Sequence, residues 1–297
     1  MIEAFHPSFS ELVAPDAEVE VLARGPEFLE GPIWLADEQA LLVNDINGDT
    51  CYRWTDDGGL VPHRSPTGMA NGMTLDHEGR VIVCEHATSR VRRIEADGVV
   101  VLCDRFGGKG LNSPNDVVVH SSGWIYFTDP PYGRQAEHGV EREQELGFQG
   151  VFRHDGVPGS EPELLDASLH RPNGLAFSLD ESILYVADTR VMKIWCFAVG
   201  SDGRLGPPRH FATLGDGVYV QSAGFPDGLK LDERGNVWVT GPLGLWAFSP
   251  QGEPLGRIVV APRAPCNFTW GGPDGLDVFC AAYDHLSRVR VRVRRAP

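Results

Sequence analysis

One short pattern recurs along this chain and restricts its fold more than any other feature. A Glu, Asn or Asp opens a short apolar run, a cluster of Gly, Asp, Asn and Ser follows, and a second β-rich run closes the unit. The openings are Glu30 ("EGPIWLADEQALLVNDI"), Asn71 ("NGMTLDHEGRVIVCEH"), Asn115 ("NDVVVHSSGWIYFTD"), Asn173 ("NGLAFSLDESILYVAD"), Asp227 ("DGLKLDERGNVWVTG") and Asn267 ("NFTWGGPDGLDVFCAA"), spaced by 41, 44, 58, 54 and 40 residues. Such a period built from short strands is the signature of a propeller with four strands per blade. Six openings predict an all-β, six-bladed β-propeller, one domain over residues 1–297. A β-sandwich would have no reason to return to one residue pattern six times.

The turn clusters "DHEGR", "HSSGW", "LDES" and "DERGN" mark each unit as a hairpin. Its runs ("WIYF", "ILYV", "VWV") are nearly continuous in apolar residues, as strands covered on both faces must be. Near the C-terminus Val289, Val291 and Val293 alternate with Arg288, Arg290 and Arg292, a strand with one buried and one charged face. The early run "EVEVLARG" can pair with it, so the ring is expected to close by pairing N- and C-terminal strands.

A formal charge of −15 argues against a nucleic-acid partner, because phosphate binding requires clustered Lys and Arg. No run approaches the roughly 18 apolar residues of a membrane span, and the first residues lack a signal-peptide pattern, so a cytoplasmic protein is expected. The six cysteines, with no Cys-x-x-Cys, read as buried thiols.

The strings "EGPIW", "LNSPNDVVVHSSGWIYFTDPPYG", "RPNGLAFSLDESILYVADT", "FPDGLKLDERGNVWVT" and "NFTWGGPDG" resemble the sugar-lactonase family that includes gluconolactonase and the regucalcin-like proteins, over residues 30 to 283. The resemblance implies one divalent metal ion in the central channel and hydrolysis of an aldonolactone such as glucono-1,5-lactone. Carried over position by position, it implies metal binding by Glu30, Asn115, Asn173 and Asp227, with Asp227 also catalytic. Among family members the Asn residues differ in whether they contact metal or substrate. Asn71 stands where related propeller hydrolases carry His, so no His-based mechanism is expected there.

Residues at one phase of different repeats converge on the propeller axis. Glu30, Asn115, Asn173 and Asp227 then offer two carboxylates and two amide carbonyls, hard oxygen donors that suit Ca²⁺ first, with Mg²⁺ and Mn²⁺ close and Zn²⁺ less well matched. Any one Asn or Asp before Gly is an ordinary turn device; four at equivalent phases are harder to explain that way. The second run of each hairpin returns toward the same face, bringing Asp45, Glu85, His86, Asp129, Asp188 and Thr240 to one rim. Asn71, His86, Asp129 and Tyr132 are the candidates for sugar contact, and His86 can titrate near neutrality.

The polar stretch from Gly133 to Gly150 is a candidate lid, with Tyr132 and Phe148 over the channel mouth; a solvated surface loop explains it equally well. Gly-x-Ser-x-Gly, Walker and His-Glu-x-x-His motifs are missing. Three readings remain: a metal-dependent sugar-lactone hydrolase acting as monomer or homodimer, a hydrolase of other lactones or phosphotriesters, and a non-catalytic propeller scaffold.

Overall fold

A computed structural model of the chain describes residues 1–296, the Gln221 side chain excepted. Three of the repeats form separate four-stranded antiparallel sheets: Ala70–Leu75 through Gly98–Cys103, Val117–Val119 through Glu163–Asp166, and Pro172–Phe177 through Arg209–Thr213. A fourth, Leu229–Leu231 through Pro254–Val259, takes Ile2–Ala4 onto its outer edge as a fifth strand, in the register Ile2↔Ile258.

The remaining two repeats share one sheet. Val19–Leu35 runs 17 residues and pairs on one side with Asp277–Arg290 (Val19↔Val289) and on the other with Ala40–Asp45 (Trp34↔Leu41). Asn267–Gly271, Thr50–Thr55 and Gly59–Arg64 complete six strands. Among the described residues there are therefore five blade sheets and one two-stranded ribbon, Arg105–Phe106 with Lys109–Gly110. This corrects the expectation of a six-bladed propeller with a four-stranded sheet for every repeat. The physical reason is continuity: two long strands bend at register shifts without breaking their ladders, so hydrogen bonding runs from the last repeat into the first.

The turn chemistry works as the sequence suggests. Asp76 Oδ1 accepts the N–H groups of Glu78 and Arg80, and Asp232 Oδ1 those of Arg234 and Asn236, closing each hairpin on its own side chain. Apolar faces of successive sheets then pack together. Tyr126 and Val151 meet Leu175, Leu184 and Phe197, while Trp238 and Leu245 meet Phe268, Trp270 and Val278. Trp238 and Trp270 cross edge to face at 5.6 Å, and each buried indole N–H finds an acceptor, Asp232 Oδ2 and the Val293 carbonyl. All six cysteines are buried and unpaired. No helix among the described residues is long and apolar enough to cross a membrane.

Candidate active site

Three of the six opening residues are aimed by a local irregularity. Pairing steps from Ala70↔Glu85 to Met73↔Val83, from Pro172↔Asp188 to Leu175↔Val186, and from Glu30↔Asn44 to Ile33↔Leu42. Each shift leaves two residues opposite one, a β-bulge, and the extra pairs are Asn71-Gly72, Asn173-Gly174 and Gly31-Pro32 beside Glu30. Bulges re-aim side chains, and here they turn the Asn and Glu side chains toward the axis.

Four of the six opening residues are followed by glycine, and the glycine has a reason other than turn formation. A Cβ on Gly31, Gly72, Gly174 or Gly228 would fall well inside 3.0 Å of the neighbouring unit, overlapping the Asn71, Asn115 or Asp227 carbonyl or the Asn267 side chain. At three of these positions the freed space carries a hydrogen bond to the next unit: Gly72 N to the Asn115 carbonyl at 2.9 Å, Gly174 N to that of Asp227 at 3.2 Å, and Gly228 N to that of Cys266 at 2.8 Å. Together with Asn44 Nδ2 donating to the Asn71 carbonyl, Thr128 Oγ1 to the Asn173 carbonyl and Asn267 Nδ2 to Glu30 Oε2, these bonds lace all six units in a ring at the level of the opening residues, which fixes their side chains relative to one another.

Inside the ring lies a cavity of about 360 Å³ whose floor carries Glu30, Asn115, Asn173 and Asp227. All four are at least nine-tenths buried. Carboxylate oxygens of Glu30 and Asp227, together with the Cys266 Sγ, lie within 4.8 Å of one another. Glu30 Oε2 accepts the Gly31 N–H at 2.7 Å and the Asn267 amide at 2.9 Å, which leaves Oε1 for the cavity. Asn173 is oriented in the same way. Its Nδ2 donates to Thr189 Oγ1 at 3.0 Å, that hydroxyl donates to the Pro226 carbonyl, and Asn173 Oδ1 is buried without a partner.

Burial pushes the Glu30 carboxyl up to about 7, against the pull of Gly31 N–H and the Asn267 amide. Asp227 is held well above the carboxylate range, first by burial and then by the charges of Glu30 and Asp116. Lys230 and Arg295 offset Asp116, and Lys230 pulls on Glu30 as well, whereas no positive group among the described residues offsets Asp227. Two buried carboxylates at this range and an orphaned amide oxygen are costly as they stand and are what a divalent cation would satisfy. The donor set therefore fits a metal.

The residues expected to touch a sugar divide. Asn71, His86 and Tyr132 line the cavity; Asp129 does not. The Asp129 carboxylate accepts the N–H groups of Asn112 and Ser113, each at 2.8 Å, and Asp45 and Asp188 hold the corresponding backbone pairs of their units. These three rim carboxylates anchor the chain ahead of their inner strands, and Asp129, expected to meet a sugar, is instead fully buried outside the cavity lining. Glu85 is taken up by Arg90, Arg92 and Thr88, and Thr240 Oγ1 accepts the Asp227 N–H at 3.2 Å.

His86 is a fixed acceptor rather than a titrating group. Nδ1 donates to the His138 carbonyl at 2.9 Å, leaving Nε2 to accept from Asn71 Nδ2 at 2.9 Å, and burial pushes the imidazole down to about 4. The Tyr132 hydroxyl is buried without a hydrogen-bond partner among the described residues and is free to meet a ligand.

The polar loop does reach the cavity, through Gln135, Glu137 and His138. Phe148 instead packs beside Phe106 and Phe152 in the core, away from the mouth. The repeat marks Asn267 as a unit opening but gives no sign that its amide holds Glu30, and Cys266, beside Glu30 and Asp227, carries no motif of its own. Sequence reading also passed over Arg171 and Arg190 in the cavity wall, although Arg171 stands inside the quoted string "RPNG".

Comparison with known proteins agrees with this architecture. Residues 28–283 match a family model described as an SMP-30/gluconolactonase/LRE-like region. The chain is 32% identical to a gluconolactonase from Zymomonas mobilis, over 98% of its own length and 86% of the relative's. It is 32% identical to a 6-deoxy-6-sulfogluconolactonase from Pseudomonas putida, covering 86% and 84% of the two chains. The solved structure of a gluconolactonase from Xanthomonas campestris superposes with a TM-score of 0.87 at 33% identity, covering 98% of this chain and 94% of that one.

Proposed function

The chain belongs to the SMP-30/gluconolactonase/LRE-like family, and on that premise we propose that its cavity hydrolyses a sugar lactone such as glucono-1,5-lactone to the sugar acid. The observation that carries this reading is the meeting of Glu30, Asp227 and the unpartnered Asn173 Oδ1 at the floor of one cavity. Glu30, Asn173 and Asp227 would hold one divalent ion, Ca²⁺ best matched by hard oxygen donors, with Asn115 beside them facing metal or substrate. When bound, such an ion polarises a carbonyl and stabilises negative charge on its oxygen.

The protein's own groups supply the rest. Asp227 takes a proton from water as the water oxygen bonds to the lactone carbonyl carbon. It returns that proton to the ring oxygen as the carbon–oxygen bond opens, so the products are a carboxylic acid and a hydroxyl. The Tyr132 hydroxyl and the Asn71 amide, locked by His86, are placed to bind sugar hydroxyls. The unpaired buried thiols fit a cytoplasmic protein, taken here as a single domain acting as monomer or homodimer.

A pH-stat comparison of glucono-1,5-lactone, a homoserine lactone and a phosphotriester, with and without chelator, tests the reading. Chelator-sensitive acid release from gluconolactone is expected. Turnover confined to the phosphotriester would favour the second enzyme reading, and no turnover of any of them would favour a scaffold.

Stability should also report the ion. Without metal, Glu30 is protonated in the folded protein up to about pH 7 but ionised from about pH 4.5 when unfolded. The folded state binds more protons between these values, so the chelated protein loses stability as pH rises from 4.5 to 7 and levels off above. We expect chelated protein to melt lower at pH 8 than at pH 5, and added Ca²⁺ to raise the melting temperature more at pH 8. His86, pushed down by burial to about 4, contributes with the opposite sign, so the Glu30 part is read against chelated Glu30→Gln: a wild type whose melting temperature changes with pH just as that variant's does would refute the assignment of Glu30 as a buried, uncompensated carboxyl.

A further inference from the structure

Two arginines stand in the cavity wall with no ionic partner. Arg171 immediately precedes the inner strand Pro172–Phe177, and its backbone N–H is held by Asp188 Oδ1 at 3.0 Å. Arg190 follows the second strand of the same sheet, in the turn Thr189–Val191. The Arg171 guanidinium carbon lies 6.0 Å from the centre of the Tyr132 ring, and that of Arg190 lies 5.0 Å from the centre of the Tyr219 ring; both tyrosines line the cavity. Among the described residues neither guanidinium makes a hydrogen bond or salt bridge. Arg153, Arg257 and Arg288 also stand over aromatic rings but pair with carboxylates as well, Arg153 with Glu163, Arg257 with Glu3, and Arg288 with Glu20 and Asp56; Arg263, over Tyr283 without an ion pair among the described residues, lies outside this cavity.

What sets Arg171 and Arg190 apart in a chain of net charge −15 is their place: both line the cavity, Arg171 partly buried and Arg190 exposed, each over a tyrosine ring of the same wall. The wall offers one further carboxylate, Glu137, whose side chain is 72% exposed. With Glu30 and Asp227 balanced by a divalent ion, two guanidinium groups against Glu137 leave the upper cavity net positive. A guanidinium presents a planar fork of donors that fits a carboxylate, sulfonate or phosphate, and a neutral sugar needs no such pair.

We propose that Arg171 and Arg190 form an anion subsite, and that the preferred substrate is an aldonolactone carrying an anionic group on the carbon remote from the lactone carbonyl. This rests on the lactonase reading above. The lactone would lie across the floor with its carbonyl toward Asp227, while its charged end reaches the arginines.

The test is steady-state hydrolysis by the Ca²⁺-loaded protein of glucono-1,5-lactone, its 6-phosphate, the corresponding 6-sulfonate and a lactone ending in a carboxylate. At low salt, kcat/KM for at least one anionic lactone should exceed that for the neutral one by about tenfold, and the preference should shrink as salt is raised to about 0.5 M. In the double variant Arg171→Gln/Arg190→Gln the anionic-to-neutral ratio should fall by about tenfold, chiefly through KM. Arg105→Gln, on the exposed two-stranded ribbon, should leave the ratio as it is. Which anion leads identifies the charged group.

A neutral lactone hydrolysed as well as all three anionic ones, or a ratio that survives loss of both arginines, overturns the subsite and leaves the lactonase reading standing. Failure to hydrolyse any lactone removes both.

Discussion

Asp227→Asn is expected to lower kcat by roughly a thousandfold with Ca²⁺ bound, the range associated with losing a positioned general base. The substitution keeps the shape of the side chain and its carbonyl oxygen but removes the atom that accepts a proton. Misfolding is not an alternative account, because the geometry gives the variant an opposite signature in stability. Wild-type Asp227 sits against Glu30 in a buried site, each charge disfavouring the other. Replacing one by an amide removes that repulsion, so chelated Asp227→Asn should melt above chelated wild type while gaining less from Ca²⁺. Stopped-flow or pH-stat rates measured beside thermal melts give both numbers. Full lactonase activity in a metal-loaded variant would mean that another group takes the proton from water.

Gly174→Ala should do comparable damage by another route. The added Cβ would overlap the Asp227 carbonyl oxygen and crowd Leu229 N and the Gly228 carbonyl carbon. All of these are backbone atoms, so no rotamer change relieves the clash, and the Gly174 N–H bond to Asp227 is lost with it. Overpacking of this kind costs about 3 kcal/mol. The displaced segment carries Asp227 itself, and a misplacement near 1 Å lowers turnover by roughly a hundredfold. Gly147, where a Cβ meets nothing within 4 Å, provides the comparison: Gly147→Ala should leave both urea midpoint and kcat near wild type. A Gly174→Ala protein with wild-type midpoint and rate would show that the inner strands can part without consequence.

Much of the site was legible because a propeller converts sequence phase into position. Glu30, Asn71, Asn115, Asn173 and Asp227 open their units at one phase, and all five line one cavity. Asp129 also recurs at a constant phase, with Asp45 and Asp188, but its phase belongs to a structural duty, holding two backbone N–H groups. Periodicity alone does not separate a recurrent ligand from a recurrent anchor. The Asn-Gly and Asp-Gly pairs looked like turn formers, and only the packing of the units shows the glycines to be clearances for a neighbour's backbone.

Counting openings also misjudged the sheets. A repeat marks where each hairpin begins, whereas sheet boundaries depend on whether a ladder breaks, and in Val19–Leu35 it bends without breaking. Cys266, Arg171, Arg190 and the hold of Asn267 on Glu30 escape the sequence for a related reason: their parts in the site arise from contacts between units, which no single unit encodes.

The shared six-stranded sheet bears on the order of events during synthesis. Val19 is paired with Val289, and the strand that holds Glu30 is flanked by residues 277–290 on one side and by Ala40–Asp45 on the other. A ribosome will have delivered Asn115, Asn173 and Asp227 long before the segment that frames Glu30 emerges. Contacts of such long range are the slowest to form. The nascent chain therefore carries most of its oxygen donors early, yet the carboxylate that completes them is secured only when the last strand arrives. Closure of the ring and assembly of the cavity floor become one event.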